Sequence, residues 1–97
     1  MNEKNLDQAV IDLGDELFPI EENLKKACLL LQEITDDYFR KYNSDKGDDR
    51  LFILYSFERY GIYADMIDDY VLAAKKHIDK LNEIQSRIYE QEKLATV

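Results

Sequence analysis

The single histidine, His77, is the residue best suited to metal binding or acid–base chemistry in this sequence. A di-metal site in a helical bundle needs several inward glutamates, including one placed three residues before each metal-binding histidine. The residue three positions before His77 is Ala74, and the positions predicted below to face inward are apolar. We therefore predict no metal site and no cofactor, and we place His77 at the edge of a helix–helix interface.

The candidate nucleophiles have no neighbouring base. Cys28 is the one cysteine and lies beside a run of leucines, so we predict a buried, unreactive thiol that cannot form an internal disulfide. No histidine stands near Ser44, Ser56 or Ser86 in the sequence, and there is no glycine-rich phosphate loop. We predict no catalytic residue and do not expect an enzyme.

The arginines suggest a different chemistry, the binding of an anionic ligand between helices. A small all-helical enzyme acting on dicarboxylates would need two or more arginines that point into a polar cavity. The candidates are Arg40, Arg50, Arg59 and Arg87. Arg59 lies within an apolar stripe of the second predicted helix, and we predict that it pairs with aspartates across a dimer. An enzyme with an Arg-lined pocket stays open as an alternative.

Acidic residues outnumber basic ones by 21 to 13, which gives a formal net charge of −8. This charge argues against direct binding of nucleic acid through its phosphates. Acidic pairs such as Asp36-Asp37 and Asp68-Asp69 are interpreted as a solvated face. A sharper hypothesis is that the carboxylates mimic phosphates, so that the chain inhibits a DNA- or RNA-binding protein.

Aromatic residues cluster on both sides of a polar stretch in the middle of the chain. The cluster comprises Tyr38, Phe39, Tyr42, Phe52, Tyr55, Phe57, Tyr60 and Tyr63. Aromatic rings, and tyrosine above all, are enriched at sites where proteins touch. Two interpretations stay open: the rings fill the wide end of a helical core, or they form an exposed recognition patch.

Apolar residues spaced alternately three and four apart predict the elements that position these groups. The first series is Leu6, Val10, Leu13, Leu17, Ile20, Leu24, Ala27, Leu31, Ile34 and Tyr38. The second is Ile53, Phe57, Tyr60, Ala64, Ile67, Val71, Ala74, Ile78, Leu81, Gln85 and Ile88. A strand would need a period of two. The two series therefore predict an all-α fold, an antiparallel helical hairpin with a short N-terminal helical segment.

Turn-prone residues set the expected boundaries of a single helical domain, 1–97. We predict helices over about 5–13, 16–42 and 49–92, with the connection at 43–48. Gly14 and Pro19 suggest the first break, because proline costs about 3 kcal/mol inside a helix and little in its first turn. The alternative is one long helix kinked at Pro19, which the unbroken phase of the first series favours.

One hairpin cannot hide all the apolar surface that these helices present, and small domains have thin cores. We therefore predict a homodimer that forms a four-helix bundle. The N-terminal segment folding back as a third helix, or a different protein partner, would also cover the surface. The candidate partner or dimer interface residues are Leu29, Phe39, Phe52, Tyr55, Arg59, Ile62 and Met66.

The longest apolar run, Ala27 to Leu31, is far too short to cross a membrane. The first residues lack the basic-then-apolar order of a secretory signal, so we expect a cytoplasmic protein with no membrane partner. Together these features favour a small non-catalytic interaction or regulatory module that acts as a homodimer.

Overall fold

The fold consists of two long helices joined by a short connection. A computed structural model describes residues 3–95, with side-chain burial for residues 6–94. Helix α1 covers Glu3–Ile34 and continues into a five-residue π-helix over Thr35–Phe39, and α2 covers Gly47–Ala95. No strand occurs in the described range, and the all-α class is confirmed. Residues 1, 2, 96 and 97 of the predicted domain lie outside the described residues.

The predicted break near Gly14 is wrong, because α1 runs without interruption through Pro19. Pro19 supplies no backbone N–H, but the half-buried side chains on either side of it, Glu16 and Ile20, share one face of the helix. A continuous helix therefore keeps both in the interface, which offsets the cost of the proline. The Asn23 side-chain amide donates a hydrogen bond of 2.7 Å to the carbonyl oxygen of Pro19.

The connection is ordered by hydrogen bonds between its own residues and the first turn of α2. Asp49 Oδ2 accepts from the backbone N–H of Asn43 at 2.9 Å, and Arg50 Nε donates to the carbonyl oxygen of Ser44 at 2.6 Å. Helix α2 begins at Gly47, two residues before the predicted start, and it ends beyond the predicted residue 92. Asp49 thus fastens the connection to the helix that follows it.

The chain divides into two compact units. The connection unit is Leu24–Val71, and the terminal unit combines the described residues before position 24 with those after position 71. In the connection unit, Tyr38 contacts Ile53 and Lys26 lies over the ring of Tyr70. This order of contacts means that the two helical segments run antiparallel there, as predicted for a hairpin.

Most of the buried and half-buried positions of each helix recur at steps of three and four residues, which are heptad positions a and d. In α2, with Ile53 at position a, they are Ile53, Ser56, Tyr60, Tyr63, Ile67, Tyr70, Ala74, His77, Leu81, Ile84, Ile88 and Gln91. In α1, with Leu13 at position a, they are Ala9, Leu13, Glu16, Ile20, Asn23, Ala27, Leu30 and Ile34. In each unit these positions form the seam between the two helices.

The predicted series are correct at position a, apart from the exposed Leu6, and wrong at their other position, apart from the buried Tyr38. The structure pairs a with d, whereas the series paired a with e, so that Phe57, Val71 and Ile78 are exposed. The reason is that several d positions hold polar side chains, such as Ser56 and His77. Apolar spacing alone therefore follows positions a and e.

A polar pair joins the two helices of the terminal unit. His77 Nδ1 and Glu16 Oε2 lie 2.5 Å apart, and both side chains are largely buried. His77 therefore lies within the seam, where the sequence placed it at the edge. The polar atoms of this pair satisfy each other in a part of the interface with little access to water.

Removing one member of the pair leaves the other partly buried without its partner. Glu16→Ala is expected to lower the free energy of unfolding by about 1–2 kcal/mol, measured by urea denaturation at fixed protein concentration. Glu21→Ala is the matched control, because Glu21 is exposed on the same helix. Equal losses in the two variants would contradict the contribution of the pair.

Candidate functional site

The π-helix determines which side chains the connection unit buries after Ile34. Its wider turn is shown by a hydrogen bond of 2.9 Å, which Arg40 N–H donates to the carbonyl oxygen of Thr35, five residues earlier. In a regular helix, the next d position after Ile34 would be Asp37. The extra residue moves Tyr38 into the seam instead, where it is 8% exposed. π-Bulges of this kind are frequent at functional sites.

Tyr38 is the centre of the aromatic cluster. Its hydroxyl donates to the carbonyl oxygen of Ile53 at 2.8 Å, and its ring stacks on that of Tyr60 with centroids 4.5 Å apart. Tyr42 stacks on Phe52 at 5.8 Å. The cluster therefore has two parts: Tyr38, Tyr42, Tyr60 and Tyr63 are at least half-buried, as the core interpretation predicted, while Phe39, Phe52, Tyr55 and Phe57 are exposed.

An open apolar cleft of about 490 Å³ lies beside Tyr38 in the connection unit. It is lined by Ile34, Tyr38, Phe39, Tyr42, Ser44, Ile53, Phe57, Tyr60, Gly61 and Ala64. Phe39 lies at the end of the π-helix and Phe57 lies in α2, so both helical segments contribute to one continuous apolar surface. Its size is in the range of sites that accept apolar groups.

The cleft belongs to a larger exposed surface, which we call the e face. Counting the extra residue of the π-helix, the e positions of the connection unit are Leu24, Leu31, Phe39, Phe57, Ala64 and Val71. All six are apolar and all are exposed. The e positions of an antiparallel pair lie on the same side, as the shared cleft shows. The terminal unit has exposed apolar e positions as well, at Val10, Leu17 and Ile78.

On the other side of the seam, the connection unit presents a charged side chain, Arg59, among apolar ones. Arg59 is exposed at a g position of α2, and its guanidinium donates to the Tyr63 hydroxyl from Nε at 3.4 Å and from Nη2 at 3.3 Å. This hydrogen bond, the charge distribution of Tyr63 and Tyr60, and the nearby carboxylate of Glu33 raise the pKa of Arg59 above its usual value. The side chain therefore stays fully charged.

The predicted interface residues fall into three places. Phe39 lies on the e face. Five others lie together on the outer side of α2, and we call them the outer stripe: Phe52, Tyr55, Arg59, Ile62 and Met66. Leu29 stands apart from both groups, exposed on the outer side of α1. The sequence therefore identified the outer stripe, but of the e face it named Phe39 alone as an interface residue.

The structure also places the cysteine, the candidate metal ligands and the arginines that the sequence singled out. Cys28 is exposed, so the prediction of a buried thiol is wrong. The reason is that Cys28 occupies position b, which points away from the seam. Among residues 6–94, no three or more His, Cys, Asp or Glu side chains are grouped to hold a metal ion. Arg40 is exposed and lies 3.6 Å from Asp36 in its own helix. No arginine lines the apolar cleft.

Comparison of the chain with protein-family models, with curated proteins and with solved structures finds no match. In the described part of the chain, no helix combines the length and the apolarity that a membrane crossing needs. The function must therefore be inferred from the surfaces described above.

Proposed function

We propose that the chain is a non-catalytic helical interaction module that acts as a homodimer, with the e faces of two copies packed together as a four-helix bundle. The observation that supports this most directly is the e face of the connection unit. Helices that face a bundle core are apolar at a, d and e, whereas an isolated two-stranded seam needs a and d alone. A second copy supplies the matching surface, because a two-fold interface joins the same face of each partner.

Exposed apolar side chains support a large interface, and they include Leu17, Leu31, Phe39, Phe57 and Val71. The small core points the same way, since the buried residues of the described range are Ala27, Ile34, Tyr38, Ala74 and Ile84.

Two of the alternatives that the sequence left open have less support than the homodimer. The N-terminal segment is continuous with α1, so it is not a third helix that folds back over the exposed surface. The apolar cleft has no arginine in its lining, so it does not support an enzyme with an Arg-lined pocket. A second copy of the chain is the occupant that fits an apolar face present on both helices.

Sedimentation equilibrium tests the proposal on the unmodified chain. We expect a mass about twice 11.5 kDa at micromolar concentration. The thermal midpoint should rise with protein concentration, because dissociation accompanies unfolding. A mass of 11.5 kDa that persists to millimolar concentration would contradict the homodimer.

A further inference from the structure

We infer that the outer stripe binds a basic amphipathic helix of another protein. The inference rests on the proposed interaction module and names the class of its partner. The stripe residues Phe52, Tyr55, Arg59, Ile62 and Met66 follow one another at steps of three, four, three and four. This is the spacing of a helix–helix seam, and here it covers about 21 Å of one helix.

The stripe is separate from the proposed dimer face. Its members occupy positions c and g of α2, on the other side of the seam from position e. Tyr55 is 90% exposed, and Phe52, Ile62 and Met66 are exposed as well. Packing of two e faces would therefore leave the stripe open. Its residue types suit recognition, because aromatic side chains and arginine dominate interface energies and methionine adapts to a partner's shape.

The charge around the stripe determines the chemistry of the partner. Between positions 48 and 69 the sequence has six acidic residues and two basic ones, Arg50 and Arg59. Glu58 and Asp65 flank the stripe along its length, and both are exposed. Both arginines keep their positive charge, because their acceptors, the carbonyl oxygen of Ser44 and the hydroxyl of Tyr63, are neutral. The six carboxylates outnumber the two arginines, so the rim is net anionic and complements lysine or arginine.

A helix satisfies both features at once. An amphipathic helix presents apolar anchors at the same spacing of three and four residues, with its charged residues beside them. Leucines of the partner would contact Tyr55 and Ile62, and its lysines would meet Glu58 and Asp65. Opposite charges at the rim steer such a partner and set its orientation, while the apolar contacts supply the affinity.

The test uses a synthetic peptide of about 18 residues made of leucine and lysine, with the leucines at alternating steps of three and four. Titrated into the isotope-labelled full chain, it should shift the amide resonances of the outer stripe more than those of Phe57 and Ala64, which lie on the e face. Tyr55→Ala is expected to raise the Kd at least tenfold. Leu54→Ala is the matched control, because Leu54 is an exposed apolar neighbour outside the stripe and its loss should leave the Kd unchanged.

Three results would overturn the inference. They are equal binding of a peptide with glutamate in place of every lysine, an unchanged Kd for Tyr55→Ala, and shifts confined to the e face. The mass of the complex separates this inference from the dimer proposal. Shifts at the outer stripe on a chain that sediments as a monomer would contradict the homodimer and support the outer stripe.

Discussion

Leu31→Glu is expected to convert the homodimer into monomers, whereas Leu29→Glu leaves it intact. The two leucines are two residues apart on α1 and are similarly exposed in the single chain, at 55% and 65%. They differ in direction, since Leu31 is on the e face and Leu29 is not. Any difference between the variants therefore reports which side of the helix the second copy covers.

The expected effect is large because each dimer would bury two new carboxylates at an apolar surface. An unpaired buried charge costs about 3 kcal/mol or more. The two carboxylates should together raise the Kd of dimerisation by about 10⁴-fold or more. Sedimentation equilibrium across the micromolar range measures this directly. In the opposite result, Leu29→Glu is monomeric and Leu31→Glu is dimeric. That result would place the dimer interface on the side of α1 that carries Leu29, which the sequence analysis named as an interface candidate.

Tyr38→Ala is expected to lower the free energy of unfolding by about 3–5 kcal/mol, the range for truncating a large buried aromatic residue. Tyr38 is the largest of the buried side chains in the described range, and it packs on Tyr60 and donates to the carbonyl oxygen of Ile53. Its removal therefore eliminates the contact that holds the π-helix against α2. Urea denaturation at one fixed protein concentration is the appropriate measurement.

Two further variants separate the contributions at this site. Tyr38→Phe keeps the ring and removes the hydroxyl, so it should cost about 1 kcal/mol, the net value of one hydrogen bond. Thr35→Ala lies in the same π-helix at a half-buried position and should cost less than Tyr38→Ala. A loss for Tyr38→Ala no larger than that for Thr35→Ala would show that the ring is not the anchor of this unit.

Much of the fold follows from the sequence, because the apolar period of three and four residues is unmistakably helical. Position a of both helices, including Ala27, Ile34 and Ala74, was also predictable. The sequence did not predict that the second seam position is d rather than e. Polar residues such as Glu16 and Ser56 occupy the buried d positions, and their burial depends on partners that the one-dimensional pattern does not show.

The π-helix accounts for most of what could not be predicted about the site. A hydrogen bond between residues five positions apart has no reliable sequence signature. The successive steps of four residues from Ile34 to Tyr38 and from Tyr38 to Tyr42 are a faint signal of it. Without the extra residue of the π-helix, Phe39 would not lie on the same face as Leu31. The cleft could therefore not be predicted from the spacing of the apolar residues alone. The outer stripe was predictable because it lies on one uninterrupted helix.

The pair formed by His77 and Glu16 also fixes how the two helices align lengthwise. Evenly repeated apolar side chains tolerate sliding by seven residues, because one leucine replaces another. After such a slip His77 would face Ala9 or Asn23, and the carboxylate of Glu16 would lose its histidine partner. The misaligned state thus carries a penalty that an all-leucine seam would lack. This one polar contact therefore favours a single lengthwise register of the two helices in the terminal unit.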